Sequence, residues 1–468
     1  MTPRSLAWVA QATGGGLLGN DGLVDAVATD TRALPGTGAP LFVALKGENF
    51  DGHAHVAQAV SGGCVAVLVS RQIDADVSQV IVDDTRRALA ALAAAVQGAR
   101  GDARVVAITG SNGKTSVKTL TEAVLAQAGK TYATPGNRNN EIGMPLAVLD
   151  APEDARFSIY EMGTGAPGDI AYLTAIAAPD IGLVNNVAPA HLERMGSLLE
   201  IANTKAAVYD DLRDGGIAVV NADDSFAPYF AQRAGAHDVV RFGLDHGADV
   251  SARDIALAND GSRFLLVTPK GEAAVELAMP GRHNVRNALA AAAIGHSLGM
   301  DVAHIAAGLN AARPVKGRQM AHVLHNGAVL VDDSYNANPG SLTAAIDTLA
   351  ASGAEAWLVL GDMRELGADE IALHAQVGAQ AKAAGIARLY TLGPLSVHAA
   401  QAFGEGAREF ASHEALAETL AQELGAGTRV LVKGSRGSAM DRIVSALLKR
   451  DAVQHGQAAL NGSGADAA

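Results

Sequence analysis

Thr109-Gly110-Ser111-Asn112-Gly113-Lys114-Thr115-Ser116 is the segment of this 468-residue chain whose residue types and spacing most clearly carry chemistry. Its glycines, Gly110 and Gly113, let the backbone turn tightly, so that N–H groups from Ser111 and Asn112 onward can point at phosphate oxygens. The N-terminus of the helix that follows adds a favourable dipole. Lys114 can neutralise the outer phosphates of a nucleotide, and the Thr115 hydroxyl can ligate Mg²⁺. A buried-strand pattern, Arg104-Val105-Val106-Ala107-Ile108, precedes the loop, and a helix-like stretch, 116–127, follows it. That context gives such a loop its meaning. The general G-x-x-x-x-G-K-[ST] pattern would place a glycine where Ile108 stands, so the loop reads as a tighter subtype. An ordinary glycine turn with a surface lysine is the alternative. Taken by itself the loop says nucleotide and leaves kinase, switch, motor and ligase open.

Two more side chains fall where the ligands of such a loop would be held. Glu161 directly follows the strand pattern at 157–160, and His191 follows the next one, 181–184, after Asn185-Asn186-Val187. Ligands gather at the carboxyl ends of strands in open parallel sheets. An acid and an imidazole on neighbouring strand ends can ligate a metal near phosphates; for each residue an ordinary loop position is the alternative. Cys64 is the single cysteine, so no intrachain disulfide is possible. It opens an apolar run that reads as a buried strand and is assigned a structural role.

The elements that must position these residues are read from hydrophobic patterning. Residues 1–102 hold apolar runs at 40–45 and 65–69 and an alanine-rich helical stretch, 88–96, and end in a glycine linker. Residues 103–316 alternate strand patterns (104–108, 157–160, 181–184, 217–220) with helical ones. This predicts a parallel sheet covered on both faces. Hairpins are predicted over 249–277, then a helix at 288–298 capped by Asn284. Residues 317–452, after a break at Arg313-Pro314-Val315-Lys316-Gly317, repeat the alternation with strands at 329–331, 357–360, 389–392 and 430–432. They predict a second doubly wound α/β unit. Residues 453–468 read as a disordered tail.

Length and composition bound what this can be. A chain of this size predicts two to four domains of roughly 100–200 residues each. Hydrophobic content is 49% and charged content 18%, so disorder as the main state is excluded. Aromatics are 4%, which predicts aliphatic cores with closely packed helices. The net charge of −13 argues against nucleic-acid partners and anionic membranes, and it means that an anionic substrate needs a locally basic site. No apolar run reaches the ~18 residues that cross a bilayer. The N-terminus makes a poor signal peptide, so a soluble cytoplasmic protein is expected.

Over nearly its whole length the sequence resembles the Mur ligase family, with the motifs in the family's order. Thr109-Gly110-Ser111-Asn112-Gly113-Lys114-Thr115 resembles its ATP loop; Glu161-Met162-Gly163 and Ala190-His191-Leu192-Glu193 resemble its Mg²⁺-binding elements. Lys205, in Asn203-Thr204-Lys205-Ala206-Ala207, matches the family's lysine that is carbamoylated by CO₂. Its neighbours alone would make it a solvated helix lysine. The modification makes chemical sense, because an ammonium repels Mg²⁺ whereas a carbamate offers hard oxygen donors. The resemblance implies two Mg²⁺ sites, one involving Thr115 and one held by Glu161, His191 and carbamoylated Lys205. It further implies that Asn287 lies near the adenine, that Arg318 reaches the phosphates from a domain junction, and that Asp333 contacts the ribose. The implied fold is α/β in three domains: a central P-loop parallel-sheet ATPase domain, a C-terminal Rossmann-like domain and a smaller N-terminal α/β domain.

Within the family, Asp332-Asp333-Ser334-Tyr335-Asn336-Ala337-Asn338-Pro339 resembles the subtype that adds D-alanyl-D-alanine to UDP-N-acetylmuramoyl-tripeptide. So do Thr134-Pro135-Gly136-Asn137-Arg138-Asn139-Asn140 and Asp30-Thr31-Arg32 with Phe50-Asp51-Gly52-His53. Substrate contacts are thereby implied for Thr31, Arg32, Asn139, Asn140, Tyr335 and Asn336, the first segment holding the UDP end. Lys433-Gly434-Ser435-Arg436-Gly437 offers Lys433, Ser435 and Arg436 to the incoming dipeptide's carboxylate. After Gly163 the run Thr164-Gly165-Ala166-Pro167-Gly168-Asp169 departs from the family's alanine–asparagine–histidine form, so contacts made by those side chains do not carry over. The implied reaction is amide formation through an acyl phosphate, driven by ATP, in a monomeric enzyme of cell-wall peptidoglycan synthesis. Other amide ligases of the superfamily, such as a folylpolyglutamate synthase, and a nucleotide switch without ligation are the alternatives.

Overall fold

The structure, a computed structural model, describes residues 1–189 and 192–462. Strands Arg104–Thr109, Phe157–Glu161, Ile181–Val184 and Ile217–Asn221 are nearly continuous apolar runs, buried along almost their whole length. A strand can carry such a sequence only when both faces of its sheet are covered. They form the centre of a six-stranded parallel sheet, flanked by Thr131–Ala133 at one edge and Asp238–Phe242 at the other. Arg104–Thr109 lies between Phe157–Glu161 and Ile181–Val184. The carboxyl ends of these three strands therefore converge, and the glycine loop leaves from the middle one.

Helices cover both faces of this sheet. Lys114–Leu125 and Arg282–Ser297 bury Val117, Leu120, Val124 and an alanine-rich stripe, Ala288 to Ala293, on one face. The small alanine side chains allow close approach, and Gly308 of the next helix, Val302–Ala311, is near enough that a Cβ there would come within 2.4 Å of the Val124 Cα. An antiparallel three-stranded sheet, Ser251–Leu257, Ser262–Thr268 and Gly271–Leu277, closes the same core. Asn284 does not cap Arg282–Ser297, as its sequence position predicts. Gly281 holds the cap position, and Asn284 lies buried in the first turn, its Nδ2 donating to the Pro280 carbonyl at 2.8 Å. Gly281 takes φ +93°, a conformation that favours glycine and moves the helix start upstream.

The first segment of the chain builds a five-stranded sheet, in the order Gly16–Leu18, Ser78–Ile81, Ala66–Val69, Pro40–Val43, Ala26–Ala28. Cys64 is buried beside it. Asp84 caps helix Thr85–Gly98 by accepting from the Arg86 and Arg87 N–H groups. This helix buries Leu89, Leu92 and Val96 in the same cluster as Val105, Met144, Val148 and Leu173 of the central segment. One hydrophobic core thus spans the first two segments of the molecule.

The last segment forms a second six-stranded sheet, in the order Met320–Val323, Val329–Asp333, Thr428–Lys433, Glu355–Gly361, Arg388–Leu392, Ala407–Phe410. Only Met320–Val323 runs antiparallel to its neighbour. Separate cores occupy its two faces, as a doubly wound unit requires. The tail departs from expectation: helix Asp441–Gly462 continues past residue 452. Gln454, Gln457, Ala458, Ala459 and Leu460 are good helix formers, and Gly456 costs only about 1 kcal/mol in a helix. Residues 463–468 lie outside the described residues.

Candidate active site

The glycine loop is braced from the neighbouring strand end. Asn186 accepts from the Ser111 N–H through its carbonyl (2.9 Å) and from the Asn112 N–H through Oδ1 (2.8 Å). Asn185 and Asn186 each donate from Nδ2 to the Asn112 carbonyl, at 2.9 and 3.1 Å. Gly113, at φ +79°, precedes helix Lys114–Leu125, whose first-turn N–H groups at Lys114, Thr115 and Ser116 have no intrahelical acceptor. A side chain at Gly113 would collide with Asn287, its Cβ lying 2.6 Å from Asn287 Oδ1. Lys114 folds back on the loop, donating to the Gly110 carbonyl at 2.7 Å. Burial pushes its ammonium below the ordinary lysine range; Glu161 opposes the shift and Arg318 adds to it.

Glu161 ends its strand within this enclosure and is 3% exposed. Its Oε1 accepts from Asn139 Nδ2 at 2.9 Å and lies 3.4 Å from the Thr115 hydroxyl. Its Oε2 is buried without a hydrogen bond, 3.2 Å from Lys118 Nζ. Oε1, facing a hydroxyl on a helix first turn, makes with it a hard oxygen set that fits a divalent cation. Among the described residues no three His, Cys, Asp or Glu side chains come together as a metal cluster. His191, the imidazole expected here, lies outside the described residues.

Lys205, in the last turn of helix Leu198–Ala206, is 2% exposed. It makes no hydrogen bond or ion pair with any described residue. Burial, reinforced by the like charge of Lys114, drives its amine far below the ordinary lysine range. The sequence alone placed this lysine in solvent; the fold buries it beside the phosphate loop. Lys114, Glu161, Lys205, Asn139 and Arg318 line one cavity of about 640 Å³, together with Gly110, Ser111 and Asn140. This is the local basic site that an anionic substrate of an acidic protein needs.

The C-terminal sheet closes the cavity. Arg318 reaches across with Nη2 3.4 Å from the Thr115 hydroxyl, its guanidinium stacked 4.1 Å over the Tyr335 ring. Asn338 Nδ2 donates to Asn112 Oδ1 at 2.7 Å. Tyr335 and Asn336 line the same cavity. A smaller cavity of about 280 Å³ adjoins it, lined by Asn112, Gly113, Ser116, Asn287, Asp333 and Lys433. Asn287 is 7% exposed and accepts from Asn185 Nδ2 at 3.1 Å. His283 lines this second cavity too, its imidazole pushed down to about 4 by burial, with Asp333 opposing and Lys433 assisting.

Other sequence candidates stand elsewhere or are already engaged. Lys433 Nζ is 2.6 Å from Asp333 Oδ2 and donates to the Asn336 carbonyl at 3.0 Å, so its charge is committed within the protein. Ser435 Oγ accepts from the Arg364 N–H at 2.9 Å. Of that loop Arg436 alone is exposed with its charge towards the site, 5.9 Å over Tyr335. Thr31 and Arg32 lie apart from the cavity, the Arg32 guanidinium resting on Asp30 at 2.6 Å. Sequence reasoning missed Lys118, Arg86 and Arg194. Lys118 is four residues beyond Lys114 and hence on the same helix face, a signal that was available. Arg86 and Arg194 line the large cavity from distant stretches of the chain, with no local signal to join them.

Comparison with known proteins bears on this arrangement. Residues 108–295 match the Mur ligase middle domain and residues 317–436 the Mur ligase glutamate ligase domain. The UDP-N-acetylmuramoyl-tripeptide–D-alanyl-D-alanine ligase of Escherichia coli K12 is 44% identical over 450 residues, covering 96% of this chain and 99% of its own. The crystal structure of MurF from Acinetobacter baumannii superposes with a TM-score of 0.90 at 31% identity, covering 96% of this chain and 99% of that one. The MurF ligase from Thermotoga maritima, solved in complex with ADP, gives a TM-score of 0.83 at 26% identity over 92% of this chain and 99% of that one. Identity at that level, carried through both matched domains and the segment that precedes them, leaves no other grouping open: the chain belongs to the Mur ligase family.

Proposed function

We propose that this chain joins D-alanyl-D-alanine to UDP-N-acetylmuramoyl-tripeptide, converting ATP to ADP and phosphate and yielding the pentapeptide precursor of peptidoglycan. The observation that carries the reading is the single cavity in which Lys114, Glu161, Lys205 and Arg318 meet between two parallel sheets. A carboxylate resists an amine, because its charge repels the nucleophile and oxide is no leaving group. Transfer of the γ-phosphoryl breaks its bond to the ADP oxygen and forms one to a carboxylate oxygen of the tripeptide. The amine of D-alanyl-D-alanine then adds to the acyl carbon and loses a proton, and the tetrahedral adduct expels phosphate carrying that oxygen.

Each residue has a task in this scheme. Lys114 and the first-turn N–H groups hold the transferring phosphoryl group and offset its charge. Arg318 completes the site from the second sheet, so that closure between the domains orients two anionic reactants and excludes water. Asn287 and Asp333 face the smaller cavity, suited to the nucleoside. Asn139, Asn140, Tyr335 and Asn336 line the larger one, suited to the tripeptide end. Arg436, stacked near Tyr335, is the free cation of its loop for the dipeptide carboxylate. The division into residues 1–102, 103–316 and 317–452 assigns UDP to the first domain, ATP to the second and the dipeptide to the third, with Thr31 and Arg32 on the UDP side.

Bound Mg²⁺ supplies charge neutralisation and Lewis acidity at the phosphates and the carboxylate, and Thr115 and Glu161 are the described residues that would hold it. Lys205 joins them after its neutral amine adds CO₂ and releases a proton, turning a repelling ammonium into a carbamate. Its burial next to Lys114 supports this, because a depressed ammonium leaves more free amine at neutral pH. The resemblance adds His191 to the set. No helix among the described residues is long and apolar enough to cross a membrane. Dependence on ATP and a UDP-linked substrate favours a reaction in the cytoplasm, with the enzyme acting as a monomer.

The test follows phosphate release with UDP-N-acetylmuramoyl-tripeptide while the amine is varied among D-alanyl-D-alanine, single D-amino acids and glutamate. Release should require both substrates and be fastest with the dipeptide. Hydrolysis indifferent to any amine would favour a nucleotide switch.

A further inference from the structure

We propose that Lys118 is a positioning residue of the phosphoryl-transfer site, dividing the two oxygens of Glu161 between the protein and the ligand-facing cavity. Lys118 sits one helical turn after Lys114, on the helix that begins at the phosphate loop. It is 5% exposed, and its ammonium meets three oxygens: the Thr134 carbonyl at 2.8 Å, the Gly136 carbonyl at 3.1 Å and Glu161 Oε2 at 3.2 Å. Thr134 and Gly136 begin the loop that carries Asn139, and Asn139 Nδ2 holds the other oxygen, Glu161 Oε1, at 2.9 Å. Thr115 lies 3.4 Å from that same Oε1.

The result is a closed circuit. Lys118 fixes the root of the 134–140 loop and one oxygen of the carboxylate, and the loop returns through Asn139 to fix the other. Glu161 is left one orientation, with Oε1 turned to the phosphate-loop hydroxyl. Charge plays a role as well as geometry. Lys114, Lys205 and Arg318 all line the cavity with Glu161. A carboxylate free to swing would pair with any of these cations, and Lys118 denies them Oε2 from behind. A buried ammonium with one carboxylate and two carbonyls is well satisfied, so the arrangement is stable before any ligand arrives. Because the same lysine anchors the loop bearing Asn139 and Asn140, cation binding and substrate-loop order become linked through it.

The proposal rests on the reading of Glu161 as a cation-holding carboxylate, so its test separates the two. Calorimetry of ADP binding is run across Mg²⁺ concentrations for the wild type, Lys118→Met, Glu161→Gln and the double variant. Lys118→Met should raise the Mg²⁺ concentration giving half-maximal enhancement of ADP binding by about tenfold. In the Glu161→Gln background the same change should shift it less than twofold, because a residue acting through Glu161 has nothing left to act on. Equal shifts in both backgrounds would reduce Lys118 to a framework residue and overturn the proposal. A wild type whose ADP affinity ignores Mg²⁺ would overturn the reading of Glu161 as well. Lys118→Gln keeps donors for the two carbonyls without the charge, and it replaces Lys118→Met in the cycle should that variant fail to fold. Loss of folding in both variants would make Lys118 structural and count against the proposal.

Discussion

Both parallel sheets of this protein bring buried lysines and a buried carboxylate to their carboxyl ends, and they differ in which groups are left over. In the C-terminal sheet Lys433 and Asp333 meet at 2.6 Å, their side chains 3% and 7% exposed, and the Asn336 carbonyl takes another ammonium proton. In the central sheet Lys118 takes Glu161 Oε2 at 3.2 Å, and Lys205 finds no partner among the described residues. Buried polar groups are normally satisfied, and an unpaired one is costly. The fold supplies the same strand-end location twice. Which groups are left unpaired there decides that the central sheet does chemistry and that the C-terminal pair holds loops in place.

Predictions that break or sharpen this contrast run from large effects to small. Lys114→Ala should lower the rate of phosphate release by at least about 10³-fold, since it removes the charge facing the transferred group. Its thermal midpoint should change little, because the hydrogen bond lost is one to its own loop. Lys433→Met should do the reverse, lowering stability by about 3 kcal/mol in urea denaturation by stranding a buried Asp333. Adding Asp333→Asn should recover some of that loss. A Lys433→Met protein as stable as the wild type would remove the contrast.

Lys205→Ala should cost about 10²-fold in activity, the lower end of the range for loss of a charge-stabilising group, with partial recovery when short-chain carboxylic acids are added. Unchanged activity in the alanine variant would take Lys205 out of the mechanism. The smallest effect concerns His283, which faces both members of the satisfied pair. Burial holds its imidazole near a pKa of about 4 against an ordinary 6.5. The unfolded chain therefore takes up a proton in that interval that the folded chain refuses. Stability is full above about pH 6.5 and declines as the pH falls towards 4. Melting curves over this range should show a shallower decline for His283→Gln than for the wild type.

Much of this was legible in the residues. The strand 104–109, the loop at 110–113 and the helix after it announced themselves because local chemistry and local structure coincide there. The alternation of strands and helices likewise pointed to the two doubly wound sheets. Legibility failed where a side chain's environment is made by distant stretches of the chain. Lys205 reads locally as solvated, and only the packing of its helix against the central sheet buries it. Lys433 reads as a free cation in a glycine loop, yet Asp333, 100 residues away, claims it. Asn284 looked like a cap because its type favours caps, while Gly281 could adopt the backbone conformation that starts the helix earlier. The short edge strands Thr131–Ala133, Met320–Val323 and Ala407–Phe410 carry too little hydrophobic pattern to be seen without their neighbours.

The most direct measurement of the central claim follows the fate of one oxygen. UDP-N-acetylmuramoyl-tripeptide labelled with ¹⁸O in the reacting carboxylate is turned over with ATP and D-alanyl-D-alanine, and the released phosphate is analysed by mass spectrometry. Activation as an acyl phosphate predicts one ¹⁸O in each phosphate from a doubly labelled carboxylate. Phosphate free of label, formed at the same rate as the peptide bond, would contradict the account.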